Sequence, residues 1–186
     1  MNAGVAVPAI ERLHVGCGPK AAPGWLNCDM LGAPGVDLRC DLRAGLPLAA
    51  DRFDLAVAIH VLQDLPYPAV LPALAELRRV LKPGGTLRLA VPHLNRAIRA
   101  YIDQQADHFY VPDEDAHSVA AKLVTQIVWY GSARTLCNFG FVHEWLMHAG
   151  YRTARRCAFR ETYTGCGDAA SLDNRELESL FVEAVK

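Results

Sequence analysis

Phe53 to Ile59 reads FDLAVAI, and this run, taken with the helix and strand patterns after it, narrows the fold sharply. An unbroken apolar run of this length suits a strand covered on both faces. Val70 to Leu81 then sets Leu71, Leu74, Leu77 and Leu81 on one face of a helix, with Glu76, Arg78 and Arg79 elsewhere. Lys82-Pro83-Gly84-Gly85 stops that helix, and Thr86 to Val91 returns as a strand. Strand, helix and strand in that order make a right-handed parallel crossover.

Shorter apolar segments lie on either side. Leu13-His14-Val15 runs into Gly16-Cys17-Gly18, a strand ending in a tight turn, and Trp25 to Asp29 and Val36 to Asp41 read as two more strands. Asn95 to Gln105, Ala116 to Tyr130 and Phe141 to Ala149 read as helices, with a polar, aromatic loop over 107–115 and Gly150 closing the last helix. Arg152 to Arg160 and Leu177 to Ala184 read as an antiparallel strand pair joined through the glycine-containing stretch 165–174. There is no internal repeat and no low-complexity linker, so a single domain is expected over 1–186. Its parts are a cofactor-binding core over 10–95, an acceptor-side helical segment over 96–140, and a helix with the strand pair over 141–186.

With 186 residues, 52% hydrophobic and 21% charged, the chain has material for one α/β domain and its core. A net charge of −1 provides no general attraction to nucleic acid or anionic membrane, and neither is expected as a partner. Arg152, Arg155 and Arg156 cluster, which is read as a solvated strand edge. No apolar run reaches membrane-spanning length, and Met1 to Ile10 lacks the pattern of a signal peptide, so a cytoplasmic location is expected. The six cysteines show no C-x-x-C spacing, and His143 and His148 are five apart on one helix; no metal site is expected.

Glycines directly after a first strand let a ligand approach the backbone. One G-x-G is weak by itself, but here an aspartate closes each of the next two strands. Asp29 is placed to accept from both hydroxyls of a ribose, and Asp41 from an adenine amino group. Only Pro19 to Gly24 separates the glycine turn from the second strand, too little for a crossover helix. A nicotinamide dinucleotide needs that helix N-terminus for its pyrophosphate. S-adenosylmethionine has no phosphate and tolerates the helix's absence.

These residues resemble the small bacterial class I S-adenosylmethionine-dependent methyltransferases with an abbreviated first crossover. The stretches that carry the resemblance are LHVGCGPKAAPGWLNCDM, CDLRAGLPLAADRFDLAVAIHVLQDL, LRRVLKPGGTLRLAVPHL and SLDNRELESLFVEAVK. It implies an α/β, Rossmann-like fold: a seven-stranded, mostly parallel sheet whose last strand is antiparallel, with helices on both faces. It implies that Gly16, Cys17 and Gly18 wrap the methionine part of S-adenosylmethionine. Asp29 would hold the ribose, Met30 pack on adenine, Asp41 and Leu42 bind its edge, and Ile59 and His60 border the amine and sulfonium. S-adenosylhomocysteine would be the product.

The chain departs from the family's pattern in three places. His14 replaces a commonly acidic residue. His60-Val61-Leu62-Gln63-Asp64-Leu65 stands where H-V-L-E-H-L is frequent, and Val91-Pro92-His93-Leu94 where V-P-D-L is frequent. Asp64 and His93 therefore suggest a carboxylate–imidazole pair with exchanged partners, Asp64 orienting His93 as a base. His108, Phe109, Tyr110 and His117 lie in the segment expected to build the acceptor side, whereas Trp129 and Tyr130 are expected in the core. The resulting expectation is methyl transfer to a small-molecule acceptor, with a homodimer lending a wall to the pocket. Two other readings are a non-catalytic S-adenosylmethionine-binding subunit and an enzyme using the same compound for a non-methyl reaction.

Overall fold

A computed structural model describes residues 11–186; the leader expectation for Met1 to Ile10 lies outside them. Seven strands form one sheet in the order β3-β2-β1-β4-β5-β7-β6. They are β1 (Arg12–Val15), β2 (Leu26–Asp29), β3 (Leu38–Arg39), β4 (Phe53–Ile59), β5 (Leu81–Pro92), β6 (Thr153–Cys157) and β7 (Ser179–Val185). The first five pair in parallel, and β7 lies antiparallel between β5 and β6. The expected sheet and its antiparallel last strand are present.

The crossover that dominates the sequence forms as expected. Helix α1 (Tyr67–Val80) buries Val70, Ala73, Leu74, Leu77 and Val80 against the sheet. The return strand begins earlier than Thr86: Leu81 already pairs with Phe53, and the register then jumps so that Leu55 faces Thr86. Lys82 to Gly85 bulge out between them. Gly85 permits this, since a Cβ there would lie 2.9 Å from the Lys82 carbonyl and 3.1 Å from that of Phe53.

Three further helices are α2 (Leu94–Ile102), α3 (Val119–Val128) and α4 (Phe139–His148). The main core packs α1 and α4 onto one face through Leu74, Leu77, Val142 and Leu146. The other face is covered mainly by the connection between β6 and β7, which the sequence did not mark as helical; it holds one short helix, α5 (Gly167–Ala170). Ala169 and Phe159 pack there on Val57, Ile59 and Phe181.

A buried ionic cluster ties this connection down. Arg88 on β5 faces Glu183 on β7 in register, and its Nη1 donates to Glu183 Oε1 at 3.1 Å. Its Nε and Nη2 both donate to Asp173, and Glu183 Oε2 accepts from the amides of Tyr163 and Thr164. All three charged residues are buried. The Arg152, Arg155 and Arg156 side chains are exposed on or beside the edge strand β6. No described helix is long and apolar enough to cross a membrane.

The α2–α3 pair sits beyond the carboxyl ends of β4 and β5, packed through Ala97, Ala100, Leu123 and Ile127. The loop before α3 is held by the Tyr110 amide donating to Gln126 Oε1 at 2.6 Å. These helices roof the sheet edge at which open α/β folds bind ligands.

Candidate functional site

The turn after β1 is built from left-handed backbone. Gly16 has φ +65, and a Cβ there would meet Val61 Cγ2 at 2.3 Å, so both conformation and space require glycine. The amides of Gly16 and Cys17 donate to the Cys28 carbonyl at 2.8 and 3.2 Å. They fasten the turn to β2. Cys17 points into the core, with its thiol pushed above its usual range by burial. Gly18 donates its amide to Asp29 Oδ2 at 2.8 Å.

Asp29 thus belongs to the turn as well as to β2. Its Oδ1 accepts the Leu31 amide at 2.8 Å, which fixes the carboxylate. An ionised carboxylate has about four lone-pair sites, so two remain for ribose hydroxyls. Met30 beside it is exposed, giving an apolar surface for a flat base. Asp41 is engaged otherwise than expected. Arg43 donates to it from its amide, Nε and Nη2, which holds the Asp41 carboxyl below the usual carboxylate range. The Arg43 Nη2 also lies 3.5 Å from Met30 Sδ.

Gly16, Asp29, Met30, Asp41, Leu42 and His60 come together around one cleft of about 390 Å³, a size suited to a nucleotide-like ligand. Ile59 is not among its walls: alternation along β4 turns it to the opposite face, against Ala90 and Phe181. Sequence reasoning also missed Arg43, two residues from Asp41, and Ser132 and Arg134, which come from a distant loop. The cleft fits S-adenosylmethionine: a fixed acid faces it, glycine clears its floor, and nothing in the short turn presents a phosphate cradle.

Behind the cleft lies a second pocket of about 110 Å³, walled by His60, Asp64, Gln63, Trp129, Arg175 and Glu178. His60 Nε2 lies 2.9 Å from Ser179 Oγ, and its Nδ1 lies 3.9 Å from Glu178 Oε1. Burial, with Arg175 and Lys20 nearby, lowers the His60 imidazole to about 3. Burial raises the Glu178 carboxyl against the pull of Arg175, whose Nη1 donates to it at 3.0 Å. Neither Glu178 nor Arg175 was singled out from sequence; no motif there signals a site.

The expected Asp64–His93 contact is not formed: the two share neither a hydrogen bond nor an ion pair. Asp64 lines the first cleft and the second pocket, whereas His93 lines a narrow cavity with Leu94, Ala97 and Cys137 that shares Gln63, Gln126 and Glu178 with the second pocket. The His93 amide donates to the Glu178 carbonyl at 2.7 Å, and the ring is buried and lowered to about 4 by desolvation and the nearby Arg156 and Arg96.

Other candidates also separate. Phe109 packs under α2 and α3, Tyr110 and His117 are exposed, and none of them lines these pockets. His108 borders a groove further along α2. Trp129 and Tyr130, expected in the core, instead end α3 in left-handed conformations (φ 42 and 55); Trp129 is half-buried at the second pocket and Tyr130 exposed.

Residues 28–89 match the family model described as a methyltransferase domain. No curated protein matches the chain. Among solved structures, an S-adenosylmethionine-dependent methyltransferase from Mesorhizobium loti is similar at 19% identity and TM-score 0.59, over 95% of this chain and 91% of that one. One from Archaeoglobus fulgidus is similar at 13% identity and TM-score 0.59, over 95% and 86%. A third, the 1,6-didemethyltoxoflavin-N1-methyltransferase of Burkholderia thailandensis with 1,6-didemethyltoxoflavin and S-adenosylhomocysteine bound, is similar at 14% identity and TM-score 0.55, over 94% and 70%. At these identities the structures establish the fold.

Proposed function

We propose that this chain is a class I S-adenosylmethionine-dependent methyltransferase that acts on a small-molecule acceptor. The observation that carries the reading is the cleft in which Gly16, Asp29, Met30 and His60 converge at the carboxyl edge of the sheet, with a second pocket directly behind it. When bound, S-adenosylmethionine supplies a methyl group on a cationic sulfur, already a strong electrophile. The protein's work is then to orient the two partners and exclude water.

In this reading Asp29 anchors the ribose and Met30 covers the adenine. Asp41 and Leu42 meet the base edge, with Arg43 sharing Asp41. The turn of Gly16, Cys17 and Gly18 admits the methionine part, while its amides stay committed to Cys28 and Asp29. His60, walling both spaces, marks where donor and acceptor meet. The near-neutral net charge and the enclosed second pocket favour a small acceptor over a nucleic acid. A homodimer completing the acceptor side is part of the proposal, and light scattering tests it: a single 20.3 kDa species removes that part.

The central test is a thermal-shift titration with S-adenosylmethionine, S-adenosylhomocysteine and NAD. A ligand at about 100 times its Kd adds roughly 2.7 kcal/mol and raises Tm by several degrees. The two adenosyl-sulfur compounds are expected to shift Tm and NAD is not. No shift with either would overturn the donor assignment. Turnover that releases methylthioadenosine in place of S-adenosylhomocysteine would overturn methyl transfer.

A further inference from the structure

The roof over the sheet edge is fastened at its two ends, which lie side by side. There His93 bridges Cys137, and the Leu94 amide donates to the Cys137 carbonyl at 2.9 Å. Both ends are fixed to the body of the fold. On the way in, the His93 amide donates to the Glu178 carbonyl at 2.7 Å, and Arg96 Nη1 donates to the carbonyls of Glu176 and Ser179 at 2.8 and 3.1 Å. On the way out, the Arg134 and Thr135 amides donate to the Gln63 carbonyl at 2.7 and 3.0 Å. Thr135 Oγ1 donates to that of Leu65 at 2.8 Å.

Between these stems the polar attachment stops. Among the described residues, 97–133 form no hydrogen bond or ion pair with any residue outside 93–137. Their apolar core is their own as well. Ala97, Ala100 and Phe109 pack with Val119, Leu123 and Ile127, and neither hydrophobic cluster of the sheet includes a residue of this stretch. Inside the roof, Lys122 pairs with Asp113 at 2.8 Å and Tyr130 donates to Asp115 at 2.6 Å. A unit braced within and loosely tied without moves as one piece.

The seam below it is also poorly filled. The second pocket lies there, walled by Gln126 and Trp129 from the roof and by His60, Gln63, Arg175 and Glu178 from the body. So does the narrow cavity beside His93, walled by Ile127 from the roof and Pro92 from the sheet. Protein interiors are close-packed, so a boundary with two cavities is where this fold parts first. Across it Arg175 lies over the Trp129 ring at 4.5 Å. Trp129, Tyr130 and Gly131 follow one another in left-handed backbone (φ 42, 55 and 90) just before the exit stem. Short stretches at the ends of elements are where hinges form.

We propose that residues 97–133 swing as one lid about the paired stems, latched by Arg175 on Trp129, and that opening uncovers the second pocket to an incoming acceptor. The inference rests on the proposed function for the word acceptor; the lid itself comes from the bonding pattern.

The test is relaxation-dispersion NMR on the full chain carrying 5-fluorotryptophan and labelled isoleucine methyls. Ile127 and Trp129 report the seam, and Ile59 and Trp25 report the body. Ile127 and Trp129 are expected to exchange on the microsecond-to-millisecond scale with one common rate, while Ile59 and Trp25 stay flat. The open-state Trp129 fluorine shift is expected to move toward that of free 5-fluorotryptophan. Arg175→Gln is expected to raise the open population at both seam probes by about twofold to thirtyfold, the range of a cation–π contact, and Arg175→Lys by less.

Flat profiles at both seam probes, unequal rates between them, or equal exchange in the body would overturn the lid. An open-state Trp129 shift no nearer the free amino acid would overturn the uncovering, and an unchanged population in folded Arg175→Gln would overturn the latch. The unsubstituted protein judges the lid even if that variant folds poorly. Failure of S-adenosylhomocysteine to bind the same sample would instead sink the methyltransferase reading, with the exchange data still judging the lid.

Discussion

Asp29 Oδ2 receives the amide of Gly18 at 2.8 Å. The acid that ends the second strand therefore also closes the glycine turn that ends the first. In the proposed reading one carboxylate carries both donor binding and turn geometry, and a loss at either end reaches the other.

Asp29→Asn keeps the shape and gives up the charge. It is expected to weaken S-adenosylhomocysteine about tenfold or more, since hydrogen bonds to a charged group are worth about 1.5–3 kcal/mol. Calorimetric titration measures this, and an unchanged far-UV circular dichroism spectrum would show that the fold survives.

Gly16 and Gly18 offer a contrast within one turn. Both have positive φ, but a Cβ on Gly18 meets nothing within 4 Å, whereas one on Gly16 meets Val61. Gly18→Ala is expected to cost about 1 kcal/mol, the penalty of left-handed backbone. Gly16→Ala adds a steric clash of about 1–3 kcal/mol and should lose donor binding as well. Chemical denaturation of the two variants separates the terms.

Because Asp64 and His93 do not touch, breaking them singly tests whether either does acid–base work. His93→Ala and Asp64→Asn are each expected to lower turnover less than tenfold, short of the roughly 10²–10⁴-fold that a lost general base costs. Steady-state rates with any identified acceptor check this. A larger loss in both would restore the pair expected from sequence.

Acid should destabilise the fold through the buried imidazoles. His60 and His93 are lowered from 6.5 to about 3 and about 4, so the unfolded chain takes up their protons first. Their contribution is fully present above about pH 6.5 and falls as pH drops toward about 4. The raised carboxyl of Glu178 acts in the opposite sense and softens the slope. Tm measured from pH 7.5 to 4.5 is expected to fall, and His93→Gln is expected to flatten the fall.

Asp173 neutralises a guanidinium with no solvent access. Asp173→Ala leaves Arg88 with only Glu183 and is expected to cost about 3–5 kcal/mol, as removal of one member of a buried ion pair does. Thermal unfolding measures it. Hydrogen exchange should show the 158–174 stretch released first, because Arg88 also holds the carbonyls of Ala158 and Glu161.

The parallel sheet, the α1 crossover, the β6–β7 pairing and the gathering of Gly16, Asp29 and Met30 on one side of the cleft were legible in the sequence. Each depends on contacts between residues near in the chain or on a repeating apolar pattern, and local physics writes such features into the order of residues. The early start of β5 and the capture of Asp41 by Arg43 were less visible, though both are local, because they turn on register and rotamer.

The second pocket was legible only at His60 and Asp64, not at its other walls. His60 leaves β4, Trp129 ends α3, and Arg175 and Glu178 precede β7, so more than a hundred residues of chain separate its walls. No spacing rule links them. The grouping of these walls and the separation of Asp64 from His93 both arise from how α2, α3 and the β7 approach close over the sheet. Tertiary packing decided them, because side chains far apart in sequence acquire a common environment only when the chain has folded.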